Sequence, residues 1–168
     1  LSMWLSNTAT ALMLMPMGMS LVLLYEELNK DILAGGGRVD PRADNFSLTL
    51  LLGIAYGASI GGLATLIGTP PNGILITQMS QLFPEAPDIT FATWMLFALP
   101  MSFVYMIIAW FLLTRVVFPL PASTPFSGKE FINSEIKKLG TMSTEEKRVT
   151  GVFVSFALLL MTRKERLF

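Results

Sequence analysis

Where the charges fall decides what this chain can fold into. It has 12 Lys or Arg and 12 Asp or Glu, 24 charged residues in all, and they are confined to residues 26–44, 85–88, 115–148 and 163–166. The stretches between them, residues 1–25, 45–84, 89–114 and 149–162, carry no charge. A soluble helix keeps one polar face, whereas these stretches are apolar nearly all round. The longer ones exceed the roughly 20 residues that cross a bilayer's hydrocarbon core. The pattern predicts an all-α integral membrane protein.

Two absences narrow the chemistry. With no cysteine, disulfides give no reading of the redox compartment. With no histidine, the usual general base, the pH switch and the commonest transition-metal ligand go together. Residues 1–25 lack the basic leading region of a secretory signal. The chain opens without Met inside a polar-tipped apolar segment, and its last apolar run has 14 residues, about 21 Å of helix. It therefore reads as an internal piece of a larger membrane protein.

Along the chain, residues 9–25 predict a helix kinked at Pro16. Alternating Met13, Met15, Met17 and Met19 would suit a strand, but an open strand in lipid leaves its backbone groups unpaired. Residues 26–45, with Gly35, Gly36 and Gly37, read as a linker; the Gly-Lys-Ser/Thr of a phosphate loop is missing. Residues 46–83 read as one transmembrane helix broken at Pro70 and Pro71, which remove two amide donors. Its first part would run from residue 47 to Ile67, about 32 Å. Gly53, Gly57, Gly61, Thr65 and Thr69 recur every fourth position there, a face that admits another helix closely. Residues 84–90 are a turn, and residues 91–118 a span with Pro100 inside it. Residues 119–148 form a polar loop in which Ile132, Ile136 and Leu139 place an amphipathic helix over 129–139. Ser143, Thr144, Glu145 and Glu146 fit a capping box opening a further helix over 149–162. Six basic residues in 115–148 and three in 26–44, against none in 85–88, orient the first two loops to the cytoplasm and the turn outside.

Two polar clusters sit inside this apolar frame. Ser6, Asn7 and Thr8 stand where a helix begins, the place for N-cap residues. A first turn has free N–H groups and partial positive charge, a seat for a carboxylate or phosphate. Serine and asparagine oxygens with loop carbonyls are also the donors a hard cation such as sodium accepts, and Ser2 lies one turn earlier. The Gly68-Thr69-Pro70-Pro71-Asn72 break repeats the design: a helix end exposes carbonyls, and Pro71 suits the start of a new half-helix. Such breaks persist at membrane depth only when buried in protein or lining a cavity, and their pairing marks ion-coupled transporters. Each cluster alone is more often a simple cap or a kink; their pairing in two charge-free segments favours a site.

LSMWLSNTATALMLMP, GIAYGASIGGLATLIGTPPNGI and LGTMSTEEKRV strongly resemble the divalent anion:sodium symporter family, carriers of succinate, malate, citrate or sulfate. The resemblance covers essentially the whole chain. In that family the Ser-Asn-Thr signature occurs once in each inverted repeat, at the tips of two re-entrant hairpins; this chain has one copy. The resemblance implies that residues 1–25 are the second arm of the first hairpin. It implies sodium ligands from Ser2, Ser6, Asn7 and Gly68, and substrate carboxylate contacts from Ser6, Asn7, Thr8 and Thr69. It further implies a multi-pass cell-membrane carrier, Na+ as coupling ion, a small dicarboxylate as substrate and a homodimer, with lipid around it, no transition metal and no nucleic acid.

The leading expectation is sodium-coupled symport of C4-dicarboxylates by alternating access. The nearest alternatives are a sulfate carrier or a dicarboxylate exchanger of the same superfamily. An intramembrane hydrolase using Ser6 or Ser59 would need a general base, and the segments hold no His or Lys. A purely structural membrane subunit would explain the apolar helices but not two polar helix breaks.

Overall fold

The computed structural model describes residues 1–121 and 142–162. Regular structure among them is helical throughout: α1 (Asn7–Ala34), α2 (Ala43–Gly62), α3 (Pro70–Leu82), α4 (Phe91–Phe111) and α5 (Thr144–Thr162). α4 passes directly into a π-helical turn, Leu112–Val117. Three helical stretches are long and apolar enough to cross a membrane, namely Asn7–Ala34, Ala43–Gly62 and Phe91–Val117. Their apolar side chains face outward: Leu96 is 81% exposed, and Phe97, Phe103 and Trp110 are exposed beside it. In water that surface would be untenable; in lipid it is the expected solvent-facing side.

α1 is longer than its apolar run. It passes through Pro16 and nine residues beyond Tyr25, so the linker expected over 26–45 shrinks to residues 35–42. Glu26, Glu27, Leu28 and Lys30 are good helix formers, and charge ends a membrane-embedded stretch without ending a helix. The glycine run is what stops it. The Gly35 and Gly37 N–H groups return to Asp31 O and Ile32 O at 3.0 and 2.8 Å. Gly36 between them takes φ +79, a backbone region that a side chain disfavours.

α2 ends earlier than its apolar sequence. It stops at Gly62, five residues before Ile67, where Gly61 and Gly62 are poor helix formers. The break therefore begins about 7.5 Å nearer the helix start than a run through Ile67 would place it. α1 packs along α2, closely at buried Gly18, where a Cβ would lie 2.6 Å from Ile54 Cδ1. The small-residue face of α2 behaves differently from expectation. Gly61 does meet a neighbour, with Ser2 Cβ 3.2 Å from where its own Cβ would be, but Gly53 and Gly57 have nothing within 4 Å. They line an apolar groove of about 570 Å³ together with Leu14, Ile54 and Phe46.

The remaining elements hold the break from the side. Thr90 caps α4, its Oγ1 accepting from Thr93 N at 3.1 Å. One turn later the Trp94 indole N–H donates to Leu63 O at 3.1 Å, the first carbonyl beyond α2. The Trp4 ring stands 6.1 Å from Phe91 and 6.0 Å from Phe153, which brings α4 and α5 against the chain's opening turn. The capping box of α5 forms as its sequence predicts: Glu146 N donates to Ser143 Oγ at 3.2 Å and Ser143 N to Glu146 Oε2 at 2.7 Å. The amphipathic helix expected over 129–139 and basic residues Arg163, Lys164 and Arg166 lie outside the described residues.

Candidate functional site

The opening residues form a single helical turn, with the Trp4 and Leu5 N–H groups both donating to Leu1 O at 2.9 and 3.1 Å. Ser6 then breaks away in extended conformation and caps α1, its Oγ accepting from Ala9 N at 3.1 Å. The tip created by this turn and cap is bound to the break by side chains buried between them. Ser2, 4% exposed, directs its hydroxyl toward Asn7 Oδ1 at 2.7 Å and toward Ala58 O. Thr65, fully buried, donates its hydroxyl to Met3 O.

Glycine makes the approach possible. A Cβ on Gly62 would lie 2.1 Å from Asn7 Oδ1, and a Cβ on Gly68 would lie 2.4 Å from Gly62 O. Asn7, Gly62 and Gly68 are thus stacked in contact, with Ser2 against Gly61 beside them. Of the expected sodium ligands, Ser2, Asn7 and Gly68 are brought together around Gly62. Ser6, next to Asn7 in the chain, is exposed, with its Oγ engaged in the cap.

The donor set has a definite electrostatic character. Ser2 Oγ, Asn7 Oδ1 and Ala58 O converge, and one hydroxyl proton cannot fully serve two acceptors. A gathering of neutral oxygens with too few protons attracts a hard cation.

The expected anion contacts lie on two helix starts. Thr8 is exposed in the first turn of α1, and Thr69 is the half-buried N-cap residue of α3 with no capping bond from its side chain. The two starts differ in what they offer. At α1, Ala9 N goes to Ser6 Oγ and Thr10 N to Ser6 O, while the Asn7 and Thr8 N–H groups have no intrahelical acceptor. At α3, Pro70 and Pro71 have no N–H, and Asn72 N is taken by Thr69 O at 3.1 Å. An anion there would meet N–H donors from α1, but from α3 chiefly the Thr69 hydroxyl and the positive end of the helix dipole.

Two residues that build this arrangement, Thr65 and Asn72, do not stand out as such in the sequence. By its spacing Thr65 is one member of a small-residue face, yet its hydroxyl ties the break to the tip. Asn72 is, by sequence, the residue after two prolines, yet its Nδ2 donates to Gly62 O at 3.0 Å and to Thr65 O at 2.8 Å. The available signal was an amide inside a charge-free segment, which has to find partners when buried.

Residues 1–164 match the family model described as citrate transporter. Over 165 residues, 98% of this chain, the sequence is 35% identical to the sodium-dependent dicarboxylate transporter SdcS of Staphylococcus saprophyticus. Over 164 residues it is 35% identical to the protein of the same name from Staphylococcus aureus. Each alignment covers 30% of the relative, so the chain spans about 30% of the length of the curated relatives it matches.

Proposed function

The chain belongs to the citrate transporter family, and on that premise we propose that it carries one cation-and-anion site of a sodium-coupled symporter for small divalent anions. The substrate class is the C4-dicarboxylates such as succinate or malate, with citrate a larger member of the same chemistry. The family is one of carriers rather than enzymes, and the apolar helices are those of a multi-pass cell-membrane protein. The same reading includes a homodimer and cytoplasmic loops on either side of the external turn at 84–90.

The observation that carries the proposal is the stacking of Asn7 on Gly62 and Gly68, with Ser2 beside them. In the proposed mechanism sodium is held by Ser2 Oγ, Ser6 Oγ, Asn7 Oδ1 and the Gly68 carbonyl. Ser6 joins through the lone pair its cap leaves unused. The substrate carboxylates take Ser6, the Asn7 Nδ2 group, Thr8 and Thr69, together with the free first-turn N–H groups of α1. Asn7 then serves both ligands through opposite ends of one amide, and a bound cation orients that amide for the anion.

Charge balance makes the coupling obligatory. The charge-free segments supply no Lys or Arg to meet a dianion. One sodium about 5 Å from a carboxylate, at an effective dielectric near 20, contributes about 3 kcal/mol, roughly a hundredfold in affinity. Sodium loading therefore precedes tight anion binding, and the loaded site changes access from one side of the membrane to the other. Uptake of radiolabelled succinate into proteoliposomes, with the protein at its natural length, is expected with an inward sodium gradient and lost when choline replaces sodium. Equal uptake in choline would refute sodium coupling.

A further inference from the structure

One side chain bridges the break between the end of α2 and the start of α3. α2 stops at Gly62, and carbonyls at a helix end need partners from outside the helix; Pro70 and Pro71 supply no N–H. Asn72 follows them directly, 4% exposed, and its amide nitrogen has two hydrogens to give. One goes to Gly62 O at 3.0 Å, the last residue of α2, and the other to Thr65 O at 2.8 Å in the connecting loop. These are the two residues through which the break meets the tip. Gly62 is the surface on which Asn7 and Gly68 pack, and Thr65 holds Met3 O. Both bonds come from one side chain in the first turn of α3, so a single amide ties the end of α2 and the connecting loop to the start of α3.

We infer that Asn72 is a positioning residue for the cation site: through Gly62 and Thr65 it fixes the tip against the Gly68 loop. It is not one of the residues assigned to either ligand. The inference rests on the proposed sodium reading, and it extends that reading to a residue whose effect is transmitted through carbonyls.

The test uses Asn72→Leu, similar in shape but without donors, in the protein at its natural length. The sodium half-saturation of succinate uptake should rise by about tenfold or more, the scale seen when a group that orients metal ligands is removed. At saturating sodium, the succinate half-saturation and maximal rate should stay within about twofold, a split that a general folding defect does not produce. A sodium half-saturation unchanged by Asn72→Leu overturns the inference, whatever happens to yield or maximal rate. Should that variant give no monodisperse protein, Asn72→Ser, which keeps one short donor, is measured against the same criterion. Hydrogen exchange supplies a readout independent of transport. Amides over residues 63–69, including the Gly68 N–H that donates to Thr65 O at 3.3 Å, should exchange about tenfold faster in the variant as the local opening becomes easier. Unaltered exchange there also overturns the inference. If wild-type uptake proves independent of sodium, the functional reading fails, and the exchange comparison alone upholds or overturns the positioning role.

Discussion

Asn7 Oδ1 occupies the space in which any side chain at position 62 would begin, 2.1 Å from the ideal Cβ position of Gly62. Asn7 can therefore pack on the end of α2 only because residue 62 has no Cβ. Gly62→Ala should push the Asn7 amide out of place while leaving the helices, which a single methyl does not unfold. The expected result is a sodium affinity lower by about 10- to 100-fold, the range for disturbing the support of a metal ligand, with helical content by circular dichroism unchanged. Gly68→Ala should act similarly through a different atom, since its Cβ would meet Gly62 O at 2.4 Å. Normal sodium affinity in Gly62→Ala would show that Asn7 can do its work from another position.

Thr65 offers a test of the same contact by chemistry rather than by bulk. It is fully buried and its hydroxyl donates to Met3 O. Thr65→Val keeps the shape and removes the donor, leaving that carbonyl unpaired at a cost of about 1–3 kcal/mol. Thermal unfolding in detergent should shift down for Thr65→Val and return toward wild type for Thr65→Ser. Equal midpoints for Thr65→Val and wild type would mean that Met3 finds another donor.

The two glycine contacts and the threonine bond also explain which parts of this molecule were legible in its sequence. Charge distribution located the apolar segments, and local chemistry located the caps: Ser143 with Glu146 forms the box its spacing predicts. Local reasoning failed where polarity and conformation part company. The charged residues after Tyr25 looked like a linker but are excellent helix formers, so α1 continues to Ala34. It failed again where a residue's role depends on a distant partner. Nothing in the neighbourhood of Gly62 announces that Asn7 will press on it from 55 positions away. Gly53 and Gly57 follow the same spacing as Gly61, yet only Gly61 is met by a side chain. Periodicity identifies a face and leaves its occupant unspecified.

Anion binding should be conditional on the cation. With no basic side chain in the charge-free segments, a dicarboxylate relies on helix N-termini and bound sodium for its counter-charge. Succinate affinity of the natural-length protein, measured by calorimetry, should fall by roughly a hundredfold when sodium is replaced by choline. An affinity indifferent to sodium would require a source of positive charge outside this site.

Asn7→Asp should separate the two ligands that the asparagine is proposed to share. The substitution keeps the shape of the side chain and retains an oxygen facing Ser2 Oγ, now 2.7 Å from Asn7 Oδ1. A cation loses nothing in this exchange and gains a formal counter-charge, so sodium affinity should hold or rise. The anion loses twice. The Nδ2 donor disappears, and a negative charge is set about 5 Å from a substrate carboxylate, a repulsion of about 3 kcal/mol at an effective dielectric near 20. That alone is roughly a hundredfold in succinate affinity. Bound sodium offsets part of the repulsion, so the defect should be deepest at low sodium and shallower as sodium saturates. Calorimetric titration of wild type and Asn7→Asp with sodium alone, then with succinate at low and high sodium, reads each term separately. Loss of both affinities together would point to a collapsed tip rather than a shared ligand. Succinate affinity unchanged at low sodium would mean that the residue 7 side chain does not face the anion, and the assignment of the tip as the meeting point of sodium and substrate would have to be given up.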